Sequence, residues 1–89
     1  MNKKSNQRVR LTKKMFKDAY IELMHVKNTD KITVKELCET AELNRSTFYL
    51  HYNEPGDILI SIEDELIENV MNYIDDISFN LINEPLTLI

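Results

Sequence analysis

The sequence has few of the residues that interrupt helices, since its 89 residues include one glycine and two prolines. Few turns are expected, and helical structure is favoured. Tryptophan is absent and cysteine occurs once, so Cys38 has no partner for an internal disulfide. A single cysteine is typical of a protein from a reducing cytoplasm, and we expect the chain to be cytoplasmic.

Long apolar runs are also missing. No stretch approaches the roughly 18 continuous apolar residues of a membrane-spanning helix, and the basic first residues are not followed by the apolar core of a signal peptide. We therefore expect no membrane partner. The chain has no glycine-rich phosphate loop, no metal-ligand spacing and no nucleophile paired with a base. The sequence thus predicts neither an enzyme nor a bound metal or cofactor.

Basic residues are confined to the first part of the chain, although the whole chain has a net charge of −4. Residues 1–51 contain all 11 Lys and Arg residues and 6 acidic residues, which gives a net charge of +5. Residues 52–89 contain 9 acidic residues and neither Lys nor Arg, which gives −9. This asymmetry indicates that the basic half faces a polyanion and that the acidic half points away from it.

Apolar periodicity and capping signals predict four helices. Phe16, Ala19 and Tyr20 recur at the spacing of one helix face, and Thr33 and Glu36 have the spacing of a capping box. The predicted helices cover residues 11–27, 33–41, 44–52 and 55–83, and residues 1–10 are expected to form a flexible basic arm. The predicted fold is all-α, with a three-helix, homeodomain-like helix-turn-helix bundle over residues 11–54 followed by a long fourth helix.

Residues 33–52 have the organisation of a helix-turn-helix, in which two short helices are joined by a tight turn. The second helix of such a motif enters the major groove of DNA, while the first crosses the phosphate backbone. Polar side chains that bond to bases and phosphates cluster at the start of the second helix: Asn44, Arg45, Ser46 and Thr47. Phe48 and Tyr52 are expected in the core. The sequence therefore predicts a recognition helix at residues 44–52.

Two runs of residues resemble the signature of the TetR/AcrR family of bacterial transcriptional regulators. They are Ile-Thr-Val-Lys-Glu-Leu-Cys-Glu-Thr-Ala at residues 32–41 and Leu-Asn-Arg-Ser-Thr-Phe-Tyr-Leu-His-Tyr at residues 43–52. The resemblance extends over residues 10–62, and Thr-Phe-Tyr-x-His-Tyr is its most specific part. It implies sequence-specific binding of double-stranded DNA at a pseudo-palindromic operator, usually as a repressor and as a homodimer.

The resemblance also implies roles for individual residues. Those expected to read bases are Arg45, Ser46 and Thr47. Those expected to bind the phosphate backbone are Thr33, Asn44, Tyr49 and His51. The roles are chemically sensible, because hydroxyl and imidazole groups donate to phosphate oxygens and arginine can bind guanine through two hydrogen bonds.

Two positions depart from the family pattern. The family has glycine at the position of Glu42, and a side chain there costs on the order of 1 kcal/mol if the turn needs a positive φ. We therefore expect a turn of slightly different geometry. The family has a phosphate-binding lysine at the position of Pro55. One phosphate contact is expected to be lost, with backbone N–H groups at the start of the fourth helix as a partial substitute and the basic arm adding others.

A second class of function is also open, namely a small helical protein-interaction module that acts through the acidic, amphipathic C-terminal helix. In the TetR/AcrR family the DNA-binding domain precedes a larger helical domain that dimerises and binds a small-molecule inducer. Residues 55–89 are expected to be a linker helix and the start of such a domain, truncated or missing here. Dimerisation would then use the C-terminal helices or the missing domain, and an inducer would act only on a full-length protein.

Overall fold

A computed structural model describes the backbone of residues 3–83 and the side chains of residues 6–82. It contains the helices α1 (Lys3–Met24), α2 (Val34–Ala41), α3 (Arg45–His51) and α4 (Gly56–Asn83), with a 3-10 turn at Thr29–Lys31. No strand occurs within residues 3–83, and none of the helices there is both long and apolar enough to cross a bilayer. The predicted all-α fold is confirmed: a helix-turn-helix bundle precedes a long fourth helix.

The first helix begins earlier than the sequence predicted, because residues 3–10 belong to α1 and do not form an irregular arm. Lys, Gln and Arg in this segment have high helix propensity, and no glycine or proline occurs before residue 55. Apolar periodicity did not indicate these turns because it reports the burial of one helix face, and most side chains of residues 6–10 are exposed. Residues 1 and 2 of the predicted arm lie outside the described residues.

The core contains residues from all four helices: Phe16, Ala19, Tyr20, Ile32, Leu37, Cys38, Ala41, Phe48 and Ile58. The ring of Phe16 is fully buried and meets edge-on two rings from α3 and the residue that follows it. Its centroid lies 5.5 Å from that of Phe48 and 6.1 Å from that of Tyr52. Phe48 is buried as predicted, whereas Tyr52 is half-buried at the edge of the core.

The fourth helix joins the bundle only through its beginning. Ile58 is fully buried, and Leu59 and Ile62 pack against the core beside it. From Glu63 to Ile82 every residue is exposed, although Lys17 Nζ lies 3.2 Å from a carboxylate oxygen of Glu65. At 1.5 Å per residue a helix of 28 residues is about 42 Å long, so most of α4 extends beyond the bundle.

The start of α2 is held by the capping box that the sequence predicted. The backbone N–H of Glu36 donates to Thr33 Oγ1 at 3.1 Å, and the backbone N–H of Thr33 donates to Glu36 Oε1 at 3.1 Å. The other carboxylate oxygen of Glu36 accepts a hydrogen bond from Lys27 Nζ, just after α1. Glu36 therefore ties the end of α1 to the first turn of α2.

We expect acidification to destabilise the fold through Glu36. The hydrogen bond from Lys27, followed by that from the Thr33 backbone, holds the pKa of the Glu36 carboxyl below its usual value. A depressed pKa in the folded state contributes stability above the unfolded-state pKa of about 4.3, and that contribution disappears as pH falls through the folded-state pKa. Urea unfolding measured between about pH 6 and pH 3 should thus show a smaller loss of stability for Glu36→Gln than for the parent.

Glu39→Gln is the matched control, because Glu39 is an exposed glutamate on the same helix with no side-chain hydrogen bond among the described residues. This variant should follow the pH dependence of the parent. A Glu36→Gln protein that loses stability as steeply as the parent would contradict the assignment.

Candidate nucleic-acid interface

A tight corner at Glu42 sets the angle between α2 and α3. Glu42 itself adopts the left-handed conformation, with φ 57° and ψ 42°, so the expected change in turn geometry is wrong. Its N–H donates to the carbonyl of Glu39 at 3.3 Å, and the N–H of Leu43 donates to that of Cys38 at 3.0 Å. These are the two hydrogen bonds of a Schellman motif. The corner is therefore the one that glycine would form, built at the cost of a strained non-glycine residue.

Asn44 organises the start of α3 through a single atom. Its side-chain oxygen Oδ1 accepts from the backbone N–H of Thr47 at 2.8 Å, from Ser46 Oγ at 2.7 Å and from Thr47 Oγ1 at 2.8 Å. The amide Nδ2 has no hydrogen bond within the described residues, and so it is free to donate to a ligand. With their protons directed at Asn44, the two hydroxyls present lone pairs that accept hydrogen bonds from outside.

The outward face of α3, meaning the side turned away from the core, consists of Arg45, Ser46, Tyr49 and Leu50. These residues are all exposed, and their i, i+1, i+4, i+5 spacing places them on one face. Thr47 is half-buried beside Asn44. Sequence reasoning named the first three and missed Leu50, whose side chain is 78% exposed. The signal for it was available, since Leu50 follows Ser46 by one helical turn.

Tyr49 and His51 lie towards the end of α3 with different surroundings. The Tyr49 ring is exposed and stands edge-on to Phe48, with 5.1 Å between centroids. His51 is half-buried, and its ring lies 6.3 Å from that of Tyr52. Both line an open hollow of about 440 Å³ between α3 and the start of α4. Tyr49 and His51 thus lie together towards the C-terminal end of α3, while Arg45 lies at its N-terminal end.

Thr33 is exposed at the start of α2, where it is the N-cap residue. Its hydroxyl lies 3.1 Å from Glu36 Oε1, besides accepting from the Glu36 N–H. A phosphate at this point would have to compete with the Glu36 carboxylate for the hydroxyl proton. Thr33 is therefore the expected site residue whose local bonding is least suited to a phosphate.

Two backbone N–H groups just before α4 are bonded to a side chain of its first turn. Asp57 Oδ2 accepts from the N–H of Asn53 at 2.8 Å and from that of Glu54 at 3.1 Å. An acidic side chain is favourable at a helix N-terminus, where it satisfies donors that have no partner within the helix. These two donors precede the helix, and within it the N–H groups of Asp57 and Ile58 donate to the carbonyls of Glu54 and Pro55. The substitution of backbone N–H groups at the start of α4 for the lysine stays a prediction.

Basic side chains of α1 lie near the end of α3. Arg10, Lys13, Lys14 and Lys17 line an open hollow of about 410 Å³ that also includes Tyr52, just after α3. Two of these cations are already paired: Lys14 Nζ lies 2.8 Å from Asp18 Oδ2, and Lys17 pairs with Glu65. Arg10 and Lys13 form no ion pair within the described residues. Within the described residues, exposed positive charge without an ion pair thus lies on α1, at Lys31 and Lys35, and at Arg45.

Comparisons with models of known families, with curated proteins and with solved structures found no match. A function for this chain is therefore sought in residues 33–52 and the basic side chains around them.

We expect Glu42→Gly to stabilise the protein. Glycine adopts the left-handed conformation without the clash that a Cβ atom introduces, so the free energy of unfolding should rise by about 1 kcal/mol. The midpoint of thermal unfolding should rise by roughly 4–8 °C for a domain of this size. Glu42→Gln, which keeps the Cβ and removes only the charge, should change the midpoint little. A midpoint equally high in both variants would mean that the carboxylate, and not the backbone, is the source of the strain.

The Asn44 cap gives a second prediction. Asn44→Ala removes the acceptor of three hydrogen bonds and should lower the free energy of unfolding by about 1 kcal/mol in urea denaturation. Asn44→Asp keeps an acceptor at the same place and adds a charge that suits a helix N-terminus, so its stability should stay at or above that of the parent. An Asn44→Ala protein as stable as the parent would contradict the importance of this cap.

Proposed function

We propose that this chain binds double-stranded DNA in a sequence-specific way, as a TetR-like bacterial transcriptional regulator with α3 in the major groove. The observation that carries the proposal is the outward face of α3. Three exposed side chains on it, those of Arg45, Ser46 and Tyr49, are the kinds that bind bases and phosphates. The helix that bears them is fixed by a strained corner at one end and an aromatic cluster behind it.

The dimensions of α3 suit the major groove. Seven helical residues span about 10 Å, and the groove of B-form DNA is about 12 Å wide. Arg45, in the first turn, would reach the groove floor and bind O6 and N7 of a guanine. The Ser46 and Thr47 hydroxyls would accept from the amino groups of cytosine or adenine, because their protons are held by Asn44.

Phosphate contacts would surround these base contacts. The Tyr49 hydroxyl, a ring nitrogen of His51 and the free amide of Asn44 are donors along α3, and Arg10 and Lys13 supply charge from α1. Glu54 and Asp57 at the start of α4 would repel a phosphate. Electrostatic attraction is thus expected from the α1 side, and affinity should fall steeply with salt concentration.

Two copies of the chain would bind one operator. Exposed apolar residues recur along α4 at helical spacing: Leu66, Val70, Ile74, Ile77 and Leu81. Most acids of this helix lie on the opposite face, so two copies can join their apolar faces while keeping the acidic faces in water. A homodimer formed in this way would read two half-sites about 34–36 Å apart. Occupation of a promoter by such a dimer would repress transcription.

The same apolar face of α4 is the observation that favours the second candidate function, a protein-interaction module. An unrelated helical partner would bury those side chains as well as a second copy would. The two candidates differ in their dependence on α3, since a module acting through α4 has no use for Arg45.

Selection of bound sites from a random duplex library tests the proposal. The chain is used both alone and fused to a neutral dimerising coiled coil, at low salt. We expect enrichment of a palindrome with half-sites about one helical turn apart, strongest for the fused form. Arg45→Ala should weaken binding of the selected site by about 5-fold to 150-fold and relax the sequence preference at one base pair.

Lys31→Ala is the control, because it also removes one positive charge from an exposed residue but lies in the 3-10 turn. It should lower affinity slightly and leave the selected sequence unchanged. If neither the chain alone nor the fused form enriches a sequence, and both samples are folded, DNA reading is refuted. The interaction module then becomes the leading candidate, to be followed by gel filtration with protein partners.

A further inference from the structure

An exposed leucine stands on the outward face of α3. Leu50 is 78% exposed, whereas every other aliphatic side chain of α2 and α3 is buried or half-buried. A leucine in such a short helix is expected to pack into the core, yet Phe48 already fills the inward side. Leu50 is thus free of any packing role within the described residues.

The position of Leu50 relative to its neighbours is fixed by the helix. Leu50 follows Ser46 by four residues and Arg45 by five, so it shares their face. It lies about 7.5 Å from Arg45 along the helix axis. That distance is within the width of the major groove. A duplex that lies along α3 with its base edges at Arg45 and Ser46 would bring base edges about two base pairs away to Leu50.

Base edges in the major groove are almost entirely hydrogen-bonding groups. The one apolar group among them is the C5 methyl of thymine. A leucine side chain has no donor or acceptor, so the only sequence information it can read directly is the presence of that methyl group. Against an amino group or a carbonyl oxygen it would remove water without replacing its hydrogen bonds.

We propose that Leu50 is a specificity-determining residue that contacts the methyl group of one thymine in each half-site. The inference rests on the proposed function and adds to it a base preference that neither the polar residues of α3 nor the sequence motif supplies. The half-site would then contain a guanine bound by Arg45 and, farther along, a thymine bound by Leu50.

Removal of the methyl group from the DNA provides the test. In the half-site obtained by selection, each thymine is replaced in turn by uracil, which differs only by the missing methyl. Binding is measured for the parent, Leu50→Ala and Val26→Ala. Val26 is a matched control, because its side chain is also 78% exposed but lies after α1, away from α3.

For one thymine we expect uracil to weaken binding by the parent about fourfold, the effect of one buried methyl group. Leu50→Ala should bind thymine and uracil duplexes equally well, whereas Val26→Ala should keep the fourfold ratio. Leu50→Ala should also melt at the same temperature as the parent, since the side chain it removes is exposed.

The two proposals fail in different ways. If the parent selects no site, the proposed function itself is refuted. If the parent selects a site whose binding depends on Arg45, but Leu50→Ala keeps the same thymine-to-uracil ratio as the parent, the function stands and the role of Leu50 is refuted. A selected half-site without thymine would likewise refute the role of Leu50 and leave the proposed function standing.

Discussion

The packing of Phe16 against Phe48 and Tyr52 is the interaction on which the rest of the structure depends. A helix of seven residues is too short to be stable in water by itself, so α3 exists because its inward side is buried. Edge-on packing of aromatic rings is directional, since the positive edge of one ring meets the negative face of another. Phe16 therefore does more than fill space: it restricts how far α3 can rotate about its own axis, and so which residues form the outward face.

Around this contact the chain uses local hydrogen bonds to fix each helix end. Thr33 and Glu36 begin α2, the left-handed Glu42 ends it, and Asn44 caps the start of α3 two residues later. Only Leu43 lies between the left-handed Glu42 and the Asn44 cap, which leaves little freedom in the relative placement of α2 and α3. The strain at Glu42 is one cost of that rigidity.

The features that could be predicted from the sequence are those determined by neighbouring residues. The capping box, the Asn44 cap and the burial of Phe48 follow from short-range spacing and were predicted. The start of α1 was not, because helical propensity without burial leaves no apolar pattern. The bonding of Asp57 to the N–H groups of Asn53 and Glu54 depends on a side-chain conformation that composition does not specify. Leu50 was missed although its spacing from Ser46 places both on one face of α3, because only polar side chains were considered as site residues.

Under the proposed function, the hydrogen bonds of Asn44 limit which residues of α3 can change when the preferred DNA site changes during evolution. Ser46 and Thr47 share one acceptor atom, so replacing either alters the environment of the other and of the helix end. Arg45 and Leu50 make no hydrogen bond to another side chain within the described residues and contribute little to the core. Mutations at positions 45 and 50 should change the stability of the fold little. The effects of mutations at positions 46 and 47 on stability should depend on each other. Under the proposed function, a lineage carrying this fold would change its preferred DNA site most easily through positions 45 and 50, one at a time, while the pair held by Asn44 stays in place.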